Sequence, residues 1–362
     1  MRILPSLLMG CLAAGTTLGA ERGAQDTVHL QSKSRSTPDA IRGTIVDYNA
    51  EKIVVRAPYT GVESSYPADD VLEVRTPQTE MHTRGLRQFS NAEYRAAEEE
   101  FSRALDDEQR GWVRREILAM LIRCALKRGD YAAAGSRFLL LVGKEPRTRH
   151  FRLLPLAWSK HSVDDPLIQA GRSWMTQTNE AAQLLGAAAL LFDPLDSHRA
   201  EAQLDRLRRS TDQRVRELAQ FQLWRKRGEA VDLDLAEIDL WSARIEEVPQ
   251  EIRGGPYYVL GEALWRHKDY DRAVWALAWL PLVYEHDTHL AGRSSLLAAE
   301  ALLQAGQTVE AKTLYHVTTR RFKDTPFARQ AAKILLQLRQ SNDVGRSTDF
   351  PRIEDGIDVL AQ

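Results

Sequence analysis

The chain has 362 residues, 43% hydrophobic and 27% charged, a globular mixture that excludes global disorder. That length leaves room for about two domains or an extended repeat array. Lys+Arg of 49 against Asp+Glu of 50 gives a formal net charge of -1, which removes the electrostatic reason to expect nucleic acid or an anionic membrane as partner.

Met1-Arg2 is a minimal positive start, Ile3 to Leu18 is an uncharged Leu/Ala-rich run, and Gly19-Ala20 precedes the charged Glu21-Arg22. This is the grammar of a secretory signal peptide cleaved near Gly19 or Ala20, so the protein is expected to be exported, to the periplasm. Pro5, Ser6 and Thr16-Thr17 interrupt the run, which is short for a bilayer needing about 20 apolar residues; membrane association is expected only if the segment is retained. Leu8-Met9-Gly10-Cys11 resembles a lipoprotein cleavage box, with Met9 a poor fit. Once the signal is removed Cys124 stands alone, which excludes an intrachain disulfide and a thiolate metal cluster. Among Leu121, Ile122 and Ala125, it reads as a small buried hydrophobe.

After a linker (21–26), residues 27–76 carry period-two patterning. Thr27 to Gln31, Ile41 to Tyr48, Lys52 to Ala57, Gly61 to Tyr66 and Val71 to Arg75 read as short strands, rich in β-branched residues and broken by turn residues. Asp47 to Glu51 reads as a tight hairpin with Asn49 in a left-handed conformation, and Pro67-Ala68-Asp69-Asp70 as one 3₁₀ turn. Five strands with that turn before the fifth resemble an SH3-like small barrel. The residues expected to line a groove, if it binds a peptide, are Tyr48, Tyr59 and Tyr66; otherwise the module is a structural cap.

From about Thr83 the period becomes helical and stays so to about residue 340. In Asn91 to Leu105, Ala97, Phe101 and Ala104 share a face, and Gly129-Asp130-Tyr131 opens a second copy with Ala134, Phe138 and Leu141. The tyrosines Tyr94 and Tyr131 are 131 − 94 = 37 residues apart. A third copy runs from Leu260-Gly261 through Asp269-Tyr270 to Ala273, Leu277 and Leu280; a fourth has Ala299, the turn Gly306-Gln307-Thr308, then Ala311 and Tyr315. Its alanine lies 311 − 273 = 38 beyond the third copy's, and Pro326 starts one further helix.

These residues resemble the tetratricopeptide repeat. Ala97, Ala134, Ala273 and Ala311 match its small crossing positions, Gly261 and Ala299 the small position of the first helix, and Tyr94, Tyr131 and Tyr270 the aromatic after the turn, where Thr308 departs. The expected architecture is mainly α: a right-handed α-solenoid of such hairpins, preceded by the small all-β module. Hairpins are expected over 81–146 and 252–340, divergent helical hairpins over 147–251, and a tail over 341–362. In the divergent stretch Glu180 to Leu191, His198 to Arg209 and Asp212 to Trp224 are amphipathic.

No phosphate loop, His-Glu-x-x-His helix or Gly-x-Ser-x-Gly elbow is present. The nearest to a metal cluster is Glu285-His286-Asp287-Thr288-His289, with two histidines three apart. Trp265, Trp275 and Trp279 crowd one hairpin and are expected mostly in the core. The resemblance implies that first helices line a groove, making Tyr258, Glu262, Trp265 and Arg266 the expected contacts for a protein or peptide partner. The expectation is a scaffold or adaptor of the cell envelope, non-catalytic, with no cofactor and no metal. The alternative is an enzyme, or an enzyme's accessory subunit, with a weak metal site near Glu285 to His289.

Overall fold

A computed structural model describes residues 25–32 and 37–344. The expected signal peptide with Cys11, and 345–362 of the expected tail, lie outside the described residues. The described part is mainly helical with a small N-terminal antiparallel sheet, and it forms two compact units. One takes the chain to Ala157 together with Val163–Leu190; the other takes Trp158–Ser162 and the chain from Leu191 on.

The first unit opens with β1 (Asp26–Leu30), β2 (Asp39–Tyr48), β3 (Lys52–Arg56), β4 (Glu63–Pro67) and β5 (Val71–Arg75), in the order β4-β3-β2-β1-β5. A 3₁₀ turn, Ala68–Asp70, precedes β5. The long β2 pairs through Asp39–Gly43 with β1 and through Thr44–Tyr48 with β3. Val28, Leu30, Ile45, Ile53 and Val55 are buried, as their alternation requires. Asn49 is not left-handed. Its side-chain oxygen instead accepts from the Glu51 and Lys52 amides, both at 3.0 Å, so the side chain closes the turn and no strained φ is needed.

The helices that follow are α1 (Glu80–Ser90), α2 (Tyr94–Asp107), α3 (Gly111–Arg128), α4 (Tyr131–Lys144), α5 (Asp165–Met175) and α6 (Glu180–Leu190). Residues of α3, and Glu145 just after α4, hold the sheet. The Trp112 indole donates to the Ile45 carbonyl at 3.2 Å, and Arg115 bonds Asp47 and the Tyr48 carbonyl. Glu145 pairs with Arg115 at 3.0 Å and accepts from the Ala50 amide at 3.2 Å.

The second unit contains α7 (Ser197–Leu207), α8 (Gln213–Arg227), α9 (Leu235–Glu247), α10 (Gly254–Arg266), α11 (Tyr270–Val283), α12 (Thr288–Gln304), α13 (Thr308–Arg321) and α14 (Pro326–Val344). The four in-phase copies are the helix pairs α1–α2, α3–α4, α10–α11 and α12–α13, and they share one turn. Ala92, Gly129, Lys268 and Gly306, each two residues before its second helix, have φ of 63°, 73°, 62° and 80°. Their amides donate to Phe89, Leu126, Trp265 and Leu303 at 3.0–3.1 Å. The next amides, of Glu93, Asp130, Asp269 and Gln307, reach back to Gln88, Ala125, Leu264 and Leu302 at 2.9–3.0 Å. This is the Schellman pattern, which satisfies the last carbonyls of each first helix. Asp130 and Asp269 then cap the second helices by accepting from Ala133 and Arg272. No residue from 147 to 251 has positive φ.

The crossings are tight where small residues are expected. Ala97, Ala134, Ala273, Ala299 and Ala311 have no exposed surface, and a Cβ on Gly261 would lie 2.5 Å from Leu277 Cγ. Pro281 inside α11 has no amide to donate to the Leu277 carbonyl four residues back. Ser294 Oγ of α12 donates to that carbonyl instead, at 2.7 Å. Leu296, Tyr315, Phe327, Ala331 and Leu335 close the end of this unit around α14.

Candidate functional site

The expected contact residues lie on α10. Tyr258 has no exposed surface, which corrects its assignment as a contact residue: it is packed inside the unit. Its hydroxyl is hydrogen-bonded to Ser159 and Arg293 and lies 3.5 Å from Glu262 Oε1; burial raises its pKa, with Glu262 adding to the effect. Arg225 of α8 and Arg293 of α12 are each 5% exposed. Burial pulls the Arg225 guanidinium down to about 10, opposed chiefly by Glu262. Tyr258 and Glu262 are thus among the groups that offset the burial of these two cations.

This face of α10 carries the chain's own segment Trp158–Ser162. The Trp158 ring lies on the backbone of Gly255, where a Cβ would stand 1.8 Å from Cε2. Lys160 pairs with Glu229 at 2.6 Å and sits 4.5 Å from the centre of the Phe192 ring. Arg266 is paired within the unit, 3.6 Å from both Glu262 and Glu229, and donates to the Gly228 carbonyl at 3.2 Å. Trp265 is half-buried, and its indole N–H has no partner among the described residues.

The tryptophans divide differently from expectation. Trp279 stacks on Tyr257 with centroids 5.3 Å apart, but Trp275 is 71% exposed, which corrects its placement in the core. With Trp279 and Leu282, itself 71% exposed, it makes a stripe along α11 at helical spacing.

Glu285 to His289 is split among separate structural jobs. Glu285 pairs with Arg321 at 2.5 Å, Asp287 caps α12 through the Leu290 amide at 2.9 Å, and the His289 ring packs edge-on against Phe327. Because α12 begins at Thr288, the two histidines do not share a helix face. Among the described residues no group of three or more His, Cys, Asp or Glu could hold a metal ion, and no helix is long and apolar enough to cross a membrane.

In the first unit Tyr48, Ile53 and Tyr66 form one cross-strand row. Tyr48 is buried beneath the Arg149 guanidinium at 3.8 Å, whereas Tyr59 is 94% exposed in the β3–β4 turn, away from that row. Arg149 also pairs with Glu116 at 2.5 Å, and His150 lies 2.8 Å from the same oxygen. Burial works against ionisation of Glu116, but the charges of His150 and Arg149 outweigh it and hold the carboxyl well below the ordinary glutamate range. Burial pushes the Cys124 thiol up to about 12, so it packs as an inert hydrophobe.

One site was not foreseen from sequence. An open cleft of about 450 Å³ lies between α8 and α9, lined by Arg208, Arg216, Gln220, Trp224, Leu240 and Arg244, with Glu217 and Trp241. Arg216, Gln220 and Trp224 are spaced i, i+4, i+8, and Leu240 and Arg244 are i, i+4. That spacing was legible; the pairing of the two helices was not. Comparison of the chain with protein-family models, with curated proteins and with solved structures gives no match.

Proposed function

We propose that this chain is an exported, non-catalytic scaffold or adaptor of the bacterial cell envelope, a right-handed tetratricopeptide-like solenoid that holds a protein partner in the periplasm. The recurring left-handed turn at 37- and 38-residue spacing (129 − 92 and 306 − 268) supports the repeat reading, since unrelated hairpins have no reason to share it. The strand order and the 3₁₀ turn before β5 support an SH3-like reading of the β module, serving as a cap on the first hairpins.

The observation that carries the interaction reading is the Trp275–Trp279–Leu282 stripe. Trp275 and Leu282 flank the half-buried Trp279, and large apolar side chains left exposed together on one helix mark partner contacts far more often than isolated ones do. The test is affinity capture from the native envelope with the parent and with Trp275→Ala combined with Leu282→Ser. Both side chains are exposed, so the variant should melt like the parent while losing its partner. Equal recovery of the same protein by both forms refutes the stripe as the contact. N-terminal sequencing tests export: the mature chain should begin near Ala20 or Glu21, and an intact Met1 counts against it.

A further inference from the structure

We propose that the cleft between α8 and α9 binds a short acidic–apolar peptide segment of a partner, its carboxylate held by Arg208, Arg216 and Arg244 and its apolar side chain lying on Leu240 and the edges of Trp224 and Trp241. This rests on the interaction reading above. It concerns a different surface from the α11 stripe and is argued from different residues.

The cleft has two chemically distinct ends. At the Trp end the indoles of Trp224 and Trp241 are stacked, centroids 4.9 Å apart and 5° from parallel, and both are nearly buried. Leu240 beside them is 70% exposed, an apolar ledge in contact with water. At the other end the guanidinium groups of Arg244 and Arg216 meet one lining carboxylate, and Arg208 lines the same cleft. Glu217, with its side chain 5% exposed, takes two bonds of 2.7 Å from Arg244 Nη2 and lies 3.7 Å from Arg216 Nε. Arg216 is steadied further by the Ser210 carbonyl at 3.1 Å.

Glu217 thus fixes the fork of cations without neutralising it. The remaining counter-charges lie outside the lining: Asp205 pairs with Arg208 at 3.1 Å and Glu247 with Arg244 at 2.7 Å, both acids being more than half exposed. Such solvent-exposed pairs contribute little and exchange easily with an incoming carboxylate, whereas a bidentate guanidinium–carboxylate contact is strong and directional.

The dimensions set the ligand's length. Arg216 to Trp224 is 224 − 216 = 8 residues of α8, about 12 Å at the helical rise of roughly 1.5 Å per residue. That is the span of about three to four extended residues. A glutamate or aspartate two to four positions from a leucine or larger apolar residue therefore reaches both ends. Basic segments are repelled by the three arginines, and purely apolar ones leave them unanswered.

The test uses the full mature chain and fluorescence anisotropy of a labelled hexapeptide, Leu-Leu-Ser-Glu-Glu-Gly, beside its Gln-for-Glu counterpart and inorganic phosphate as competitor. The acidic peptide should bind, and added salt should weaken it. The Gln peptide should bind at least about tenfold more weakly, and Arg208→Gln and Arg216→Gln should each weaken the acidic peptide by about tenfold. Arg208→Gln gives up only an exposed pair and should keep the parent's melting temperature, whereas Arg216→Gln also gives up the Ser210 carbonyl, so the Arg208 variant carries the test. Failure of the acidic peptide to bind, binding by the Arg208→Gln variant equal to the parent's, equal binding of the Gln peptide, or phosphate competing as well as peptide each overturns the proposal. If the cleft fails while an envelope protein is still captured through Trp275 and Leu282, the scaffold reading survives and only this assignment falls.

Discussion

The shared turn offers a reciprocal test. Lys268 and Gly306 hold the same left-handed position in successive hairpins, at φ of 62° and 80°. An L-residue there costs roughly 1–2 kcal/mol, while glycine gives up roughly 0.5–1 kcal/mol more chain entropy on folding. Glycine is therefore the better residue by about 0.5–1 kcal/mol. A Cβ on Gly306 would meet nothing within 4 Å, so Gly306→Ala exposes the backbone cost alone and should destabilise by that amount. Among the described residues the exposed Lys268 side chain makes no ion pair or hydrogen bond, so Lys268→Gly should stabilise by a similar amount. Urea denaturation followed by circular dichroism reads both as opposite shifts in midpoint at constant slope. Two shifts of the same sign would refute a common left-handed turn, and with it the strongest structural support for the repeat.

Three further outcomes follow from the packing. Ser294→Ala removes the donor that replaces the missing Pro281 amide, leaving the buried Leu277 carbonyl unsatisfied at a cost of about 1–3 kcal/mol. Adding Pro281→Ala restores an amide, so the same substitution should cost much less in that background, which a double-mutant denaturation cycle measures. The folded pKa of Glu116 is depressed, so its stabilisation is present above the unfolded value near 4.5 and is lost as pH falls below it. Glu116→Gln should therefore melt below the parent at neutral pH and approach it in acid, the difference being followed by calorimetry across the acid range. Cys124, raised to about 12, should resist a thiol-specific chromogenic reagent in the folded chain and react once denatured; labelling of the native protein would contradict its burial.

The β module and the four hairpins were legible because their signals are local. Alternating Val and Ile, turn residues such as Gly129-Asp130 and Gly306-Gln307, and alanines at 37- and 38-residue spacing each encode contacts within about one hairpin. Asn49 shows the limit: its residue type announced a turn, but its side chain and not its φ satisfies the local amides. Over 147–251 the repeat faded for a physical reason. The α5–α6 crossing is made by glycine on glycine, with a Cβ on Gly186 falling 2.6 Å from the Gly171 carbonyl. That crossing is not flanked by the left-handed turn that marks the four regular pairs.

The contact residues were less legible, because helical spacing says which side chains share a face but not what covers it. Tyr258, Glu262 and Arg266 are spaced i, i+4, i+8, and a segment about one hundred residues earlier in sequence lies on that face. No periodicity in Trp158 to Ser162 announces it. Trp275, read as core from its residue type, is exposed because no described residue of its unit packs over that side of α11. The same logic governs how loss of binding should be read. Glu262 is one of the groups that offset the burial of Arg225 and Arg293, so removing it weakens the support of two buried cations. A Glu262 variant would lose a partner by loosening α8, α10 and α12, whether or not the carboxylate touches that partner. Evidence for contact must come from side chains whose removal leaves the packing intact, such as Trp275, Leu282 and Arg208.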